Sequence, residues 1–315
     1  MKQATVIGSG LVGSLWTIYL LKAGYKVKVI ERRSDMRKAT MSAGKSINLA
    51  MSTRGWKALD EMGIGDEIRK ISIPMFGRTM HPLSGSTTYQ PYGINNQAIY
   101  SVSRGEINCK LMDIAEQKGN VEFFFYEECI NADLKEGIVK LKNSETGNIT
   151  ELKSDVVFAT DGAFSAIRYN AMQKLDRFSY SQNYIEDGYR EILLPANPDG
   201  SFKLDKNTLH IWPRGRFMLI ALPNFDGSYT CTLFMPFDGH EYCFNKLTSK
   251  EKVEEFFKNV FPDFFEMMPN VADAWENHPL SSLAIIRCYP WFHGKVMLMG
   301  DAAHATVPFF GQGMN

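Results

Sequence analysis

Long apolar runs, clustered positive charge and paired cysteines are all missing from this 315-residue chain, and each absence removes a class of function. No stretch approaches the roughly 18 apolar residues that cross a bilayer. With 35 basic and 35 acidic side chains the net charge is zero. No Lys/Arg cluster marks a nucleic-acid or membrane-surface track, so a small-molecule partner is expected. Cys109, Cys129, Cys231, Cys243 and Cys288 form no CxxC, and an odd count points to buried, reduced thiols in a reducing compartment. The histidines His81, His210, His240, His278, His293 and His304 show no HxxxH or HxH spacing, so no metal site is expected. No repeat or low-complexity segment is present. A strand starting at residue 4 would leave no room for a secretory leader.

What remains is an ordinary globular composition, 44% hydrophobic and 12% aromatic, in a chain longer than one typical core. Two lobes are therefore expected. At the start, Ala4 to Ile7 reads as a buried strand, Leu11 to Ala23 as a helix and Lys26 to Ile30 as a second strand. This βαβ unit encloses Gly8-Ser9-Gly10-Leu11-Val12-Gly13, a GxGxxG pattern. Gly8 makes the tight turn, Gly10 lets backbone approach a pyrophosphate, and Gly13 lets helix and strand pack closely. The exposed amides of the helix start face the anion. Glu31 follows Gly13 by 18 residues (31 − 13), where a carboxylate accepts from ribose hydroxyls and repels a 2′-phosphate. The site therefore favours FAD or NAD over NADP.

Further elements place the remaining motifs. Thr53 to Met62 reads as an amphipathic helix stopped at Gly63, and Ser103 with Glu106 as a capping box that puts Arg104 in the first turn of another helix. Val121 to Tyr126, Ile138 to Leu141 and Asp155 to Ala159 read as strands. The last opens into Asp161-Gly162-Ala163-Phe164-Ser165-Ala166-Ile167-Arg168, a DGxxSxxR segment that alone reads equally as an Asp-capped turn. Tyr189 to Leu194, Thr208 to Trp212, Phe217 to Leu222 and Tyr229 to Phe234 read as strands of an antiparallel sheet. Ser249 opens a helix through Val260 that Pro262 follows. Lys295 to Met299 is another buried strand, opening into Gly300-Asp301-Ala302-Ala303-His304, where a carboxylate can hold a ribityl or ribose hydroxyl. His304 reads as a packed structural residue, not a base. No second GxGxxG occurs to hold a pyridine nucleotide.

The three glycine segments in this order resemble the flavoprotein aromatic hydroxylase superfamily. Further stretches resemble the kynurenine 3-monooxygenase family within it: Lys45 to Ala50 with Arg54-Gly55, Ile73 to Arg78, Leu209-His210-Ile211-Trp212-Pro213-Arg214, Met218 to Leu222, and Gly300 to Asn315 with its Pro308-Phe309-Phe310-Gly311-Gln312-Gly313-Met314-Asn315. The resemblance implies an α/β (α+β overall) architecture. A Rossmann-like FAD-binding lobe (1–75, 100–177 and 284–315) would join a mainly antiparallel substrate lobe (76–99 and 178–283).

It implies hydroxylation of L-kynurenine to 3-hydroxy-L-kynurenine with FAD, NADPH and O₂ through a C4a-hydroperoxyflavin, with no side chain acting as acid or base. NADPH would dock transiently at residues the motifs leave unassigned. Arg78 and Tyr92, by themselves a surface charge and a half-buried strand residue, match positions that bind the substrate carboxylate. Their 14-residue interval (92 − 78) suits a hairpin. Pro308, Phe309 and Phe310 would wall flavin from substrate. The cofactor set is Gly8, Gly10, Gly13, Glu31, Arg104, Asp161, Gly162, Gly300, Asp301, Gln312 and Asn315. The family pattern continues past Asn315 into a helix and a further helical region, which in eukaryotic members anchors the protein to the mitochondrial outer membrane; bacterial members are cytoplasmic. A homodimer stays open. So do a hydroxylase or epoxidase for another aromatic or lipid, and a non-catalytic FAD-binding module.

Overall fold

Near-continuous apolar runs such as Ala4 to Ile7 and Val156 to Ala159 cannot sit on a sheet with one wet face, because alternate side chains point to opposite sides. In the computed structural model, which describes residues 1–38, 48–311 and 315, they are central strands of a sheet covered on both sides. The strand order is Phe292–His293, Val296–Leu298, Val156–Ala159, Gln3–Ile7, Lys26–Ile30, Val121–Phe124. All ladders are parallel except that of the short edge strand Phe292–His293. One face buries Ala4, Val6, Val27 and Val29 against Leu20 of the helix Leu11–Lys22. The other buries Ile7, Ile30, Val157 and Ala159 with Val139 and Leu141 of an antiparallel meander, Glu127–Asp133, Ile138–Asn143 and Ile149–Lys153.

The chain divides into two compact units. The first holds the described residues of Met1–Met41, Gly105–Asn183 and Ala284–Gly313, including the six-stranded sheet. The second holds those of Ser42–Arg104, Tyr184–Leu283 and Met314–Asn315. Counted over the residues of this unit, its sheet runs 281–283, 184–194, Tyr229–Pro236, Phe217–Pro223, Thr208–Arg214, Gly77–Met80, Thr88–Pro91. Within it, Gly77–Met80 lies parallel to Thr208–Arg214, an exception to the antiparallel expectation. Trp212, Leu219, Cys231 and Leu233 are fully buried there, packed on Phe257, Phe261 and Phe264.

The division differs from the sequence expectation at residues 178–183, which group with the first unit, at Asn315, which groups with the second, and at residues 48–75 and 100–104. The last two stretches group with the second unit because Asn48–Met51, Ile99–Ser103 and Ile73–Met75 form one small sheet, and Asn48 Nδ2 donates to Pro223 O at 3.0 Å. Ser249 caps the helix Lys250–Val260 as expected, its hydroxyl accepting from the Lys252 amide at 3.4 Å. Pro262, expected only to follow that helix, opens the next one, Pro262–Met267, at a position where its missing N–H costs nothing.

Candidate functional site

The carboxyl ends of three neighbouring parallel strands, Gln3–Ile7, Val156–Ala159 and Val296–Leu298, bring the three glycine segments together within the first unit. The contacts are backbone-close. A Cβ on Gly8, whose φ is +94°, would lie 2.7 Å from Thr160 O, and one on Gly13 would lie 1.9 Å from Gly8 O. A Cβ on Gly300 would meet Val12 at 2.8 Å. Gly10 and Gly162 differ: a Cβ on either would meet nothing within 4 Å among the described residues. The helix Leu11–Lys22 starts at Gly10 with no side chain capping its first amides. A turn with room above it and free amides beneath is suited to an anionic ligand.

Glu31 closes the second strand, is 5% exposed, and holds the loop directly. Its Oε2 accepts from the Ser9 amide and the Ser9 hydroxyl, each at 3.0 Å, and its Oε1 accepts from Arg33 Nε at 2.8 Å. Burial pushes the Glu31 carboxyl up, but the Arg33 and Ser9 hydrogen bonds reverse this and hold it below the usual range.

Two residues that the sequence reading passed over complete the loop. Asn108 Nδ2 donates to Ser9 O at 2.8 Å, and the Thr160 hydroxyl lies 2.8 Å from Ile7 O and 2.9 Å from Gly8 O. A signal for Asn108 was present: it is a lone amide on the apolar face of its helix, between Ile107 and Leu111.

Asp161 Oδ2 accepts from the Ala166 amide at 2.8 Å and so caps the turn Ala166–Asn170, while Oδ1 is buried without a hydrogen-bond partner among the described residues. Burial raises its pKa. Arg168, at 2% exposure, ties the second and third segments together: Nη1 donates to Ala302 O at 2.7 Å and Nη2 to Ala163 O. Asp301 is exposed at the start of the turn Asp301–His304. His304, expected to be packed, is instead exposed, its ring 5.3 Å from that of Trp291.

In the second unit Arg78 lies on the strand Gly77–Met80 and Tyr92 just after its hairpin partner Thr88–Pro91. Gln90 Oε1 accepts from Arg78 Nε at 2.9 Å. Burial pushes the Tyr92 phenol up to about 12, and the Arg78 charge pulls against that shift. Alternation puts exposed Arg78 on one sheet face with half-buried Met80, Leu209, Ile211 and Ile220, and one row of paired residues crosses it as Met80, Ile211, Ile220, Thr232 and Glu191. The strands 208–212 and 217–222 are legible in the sequence, whereas the role of this face is not. Burial pushes the Glu191 carboxyl up to about 7, against the Arg104 charge.

Arg104, exposed in the first turn of the helix Arg104–Lys118, and Asn315 both group with the second unit and not with the glycine loops. The Asn315 amide brackets the turn after Asn48–Met51, accepting from the Ser52 amide at 2.7 Å and donating to Ala50 O at 3.0 Å. Phe309 is half-buried in the turn Pro308–Phe310 of the first unit. Gln312, the Phe310 side chain and Lys45 to Ile47 lie outside the described residues. No helix of the described residues is long and apolar enough to cross a membrane.

A family profile described as FAD binding domain matches residues 1–315. A protein named kynurenine 3-monooxygenase from Flavobacterium johnsoniae is 51% identical over 314 residues, covering 99% of this chain and 69% of that protein. One of the same name from Dictyostelium discoideum is 46% identical over 316 residues, covering 100% and 67%. Among solved structures, a tetrameric form of 2-methyl-3-hydroxypyridine-5-carboxylic acid oxygenase superposes with a TM-score of 0.78 at 21% identity, covering 100% of this chain and 78% of that one. A tetracycline destructase superposes with a TM-score of 0.66 at 18% identity, covering 100% and 78%. At such identities the structural likeness establishes the fold alone.

Proposed function

Because this chain belongs to the kynurenine 3-monooxygenase family of FAD-binding proteins, we propose that it hydroxylates L-kynurenine to 3-hydroxy-L-kynurenine. NADPH, a proton and O₂ are consumed; one oxygen atom enters the ring, and NADP⁺ and water are released. The observation that carries this reading is the meeting of three glycine segments at adjacent strand ends in a chain 51% identical, over 99% of its length, to a kynurenine 3-monooxygenase.

The residues present fit the dinucleotide. Gly10 and Gly162 border open space, the helix start at Gly10 carries no side-chain cap, and Glu31 and Asp301 supply carboxylates at two strand ends. The pyrophosphate would lie on the amides after Gly10, with Glu31 on the ribose and Asp301 on the ribityl chain. Asp161, at the end of the strand between them, would complete the hold within this unit. When bound, FAD supplies the redox and oxygen-activating chemistry.

The chain's own side chains bind and orient the substrate. Arg78 takes the substrate carboxylate: Gln90 holds its Nε, which aims the guanidinium so that both Nη groups can form a two-point contact. Tyr92 keeps its proton, since burial has moved its pKa to about 12, and therefore donates to the same carboxylate. The half-buried face of Met80, Leu209, Ile211 and Ile220 seats the aromatic ring by apolar contact.

The test is aerobic turnover of the FAD-loaded protein. L-Kynurenine should accelerate NADPH oxidation, with 3-hydroxy-L-kynurenine formed in step. Oxidation that yields only hydrogen peroxide, whatever aromatic amino acid is supplied, would reject the proposal.

A further inference from the structure

The segment His210-Ile211-Trp212-Pro213-Arg214 stands out in the sequence, yet none of its polar groups has a role in the reaction as described. Its contacts converge on one residue. The His81 amide donates to Ile211 O at 2.8 Å, and His81 O accepts from Arg214 Nη1 at 2.9 Å. His81 Nε2 hydrogen-bonds His210 Nδ1 at 3.0 Å, and the His81 ring stacks on Trp212 with centroids 4.0 Å apart and planes inclined by 20°. The last polar atom, Nδ1, hydrogen-bonds Asp263 Oδ2 at 2.8 Å, an oxygen that also accepts from Trp212 Nε1 at 2.8 Å. Every hydrogen-bonding group of His81 is thus engaged, and the residue is 5% exposed.

The outer members of this arrangement are held in turn. His210 Nε2 hydrogen-bonds Asp205 O at 2.9 Å, and Arg214 Nε donates to Val260 O. The socket is therefore anchored to the strand Thr208–Arg214 and to the helices Lys250–Val260 and Pro262–Met267.

His81 lies three residues after Arg78, directly past the end of the same strand. That strand has weak support on its other side, because its neighbour there, Thr88–Pro91, is exposed at every residue. A two-stranded hairpin is marginal by itself. Side chains alternate along it, so Thr79 and His81 point into the packed face while Arg78 projects from the opposite one. Anchoring His81 in all directions fixes the strand's depth and twist, and with them where the Arg78 guanidinium ends.

We propose that His81 and its socket, His210, Trp212, Arg214 and Asp263, are positioning residues that set the reach of Arg78 toward a carboxylate-bearing substrate. The inference rests on the proposed role of Arg78, and its test separates the two. The FAD-loaded full chain would be compared with His81→Gln, His210→Asn, Trp212→Phe and Arg78→Met. Three quantities are read for each: KM and kcat for L-kynurenine, and inhibition by the decarboxylated amine analogue, which shares the ring and lacks the carboxylate.

His81→Gln and His210→Asn should raise KM by about tenfold with kcat little changed, because a charge-assisted contact is misaligned without being removed. Binding of the amine analogue should change by less than about twofold, since no carboxylate is read. Trp212→Phe keeps an aromatic ring beside His81, loses the bond to Asp263 together with part of the buried indole, and should shift KM in the same direction. It reports even if His81→Gln fails to load flavin. Equal losses for both ligands would mean a merely structural role, and an unchanged KM in the socket variants would mean no role; either overturns the proposal. If Arg78→Met itself leaves KM unchanged, the reading of Arg78 fails and the inference falls with it.

Discussion

Glu31 Oε2 receives both the backbone N–H and the hydroxyl of Ser9, each at 3.0 Å, so the acid that ends the second strand also braces the glycine loop ahead of it. Its other oxygen is committed to Arg33. In the proposed reading the same carboxylate would both shape the turn that receives the pyrophosphate and select the ribose. Glu31→Arg removes both and adds charge of the wrong sign. Two hydrogen bonds to a charged group are worth about 1.5 to 3 kcal/mol each, so FAD affinity should fall by at least about a hundredfold. Titration of the apoprotein by flavin fluorescence measures it; full affinity would mean the ribose lies elsewhere.

Gly13 and Gly10 should separate fold from function. A Cβ on Gly13 would lie 1.9 Å from Gly8 O and 2.5 Å from the Thr160 hydroxyl, so Gly13→Ala should lower apoprotein stability by about 1 to 3 kcal/mol or more. Gly10 has φ −71° and open space, so Gly10→Ala should leave apoprotein melting nearly unchanged while weakening FAD binding, because the methyl occupies the path of the pyrophosphate. Thermal melts with and without FAD distinguish these outcomes. A Gly10→Ala protein that melts early without ligand would contradict the assignment.

His210 makes the fold acid-sensitive. Burial lowers its pKa from 6.5 to about 4, so between those values the unfolded chain binds a proton that the folded chain refuses. The stability it contributes is present above pH 6.5 and is lost as pH falls toward 4. Urea midpoints for His210→Asn should therefore decline less steeply than those of the parent over this window. Parallel profiles would show that His210 does not titrate in it.

Glu191 has the opposite sign. Its folded pKa is raised from 4.5 to about 7, so its stabilising contribution is complete below 4.5 and is lost as pH rises through 7. Glu191→Gln keeps the neutral shape, and its melting temperature relative to the parent should rise between pH 5 and pH 8. A constant difference would show that the carboxyl is already ionised at pH 5.

The parts of the molecule legible in sequence were those whose cause is local. The βαβ start depends on spacing within about thirty residues, and its strands and helix lie at Gln3–Ile7, Leu11–Lys22 and Lys26–Ile30. The meander strands Glu127–Asp133 and Ile149–Lys153 went unread, because exposed Glu, Lys and Asn dilute the alternation that marks a strand. Asn108 and Thr160 act on the glycine loop across 99 and 152 residues, and His81 meets Asp263 across 182. No local pattern records such pairings. The residues themselves were visible, whereas the partners that give them a role exist only in the folded chain.

Anaerobic stopped-flow reduction of the FAD-loaded protein by NADPH tests the central claim most directly, because its rate depends on both the dinucleotide proposed at the glycine segments and the substrate proposed at Arg78. L-Kynurenine should speed bleaching of the flavin band severalfold or more, and that acceleration should shrink in Arg78→Met. Bleaching at one rate with and without L-kynurenine would contradict the account.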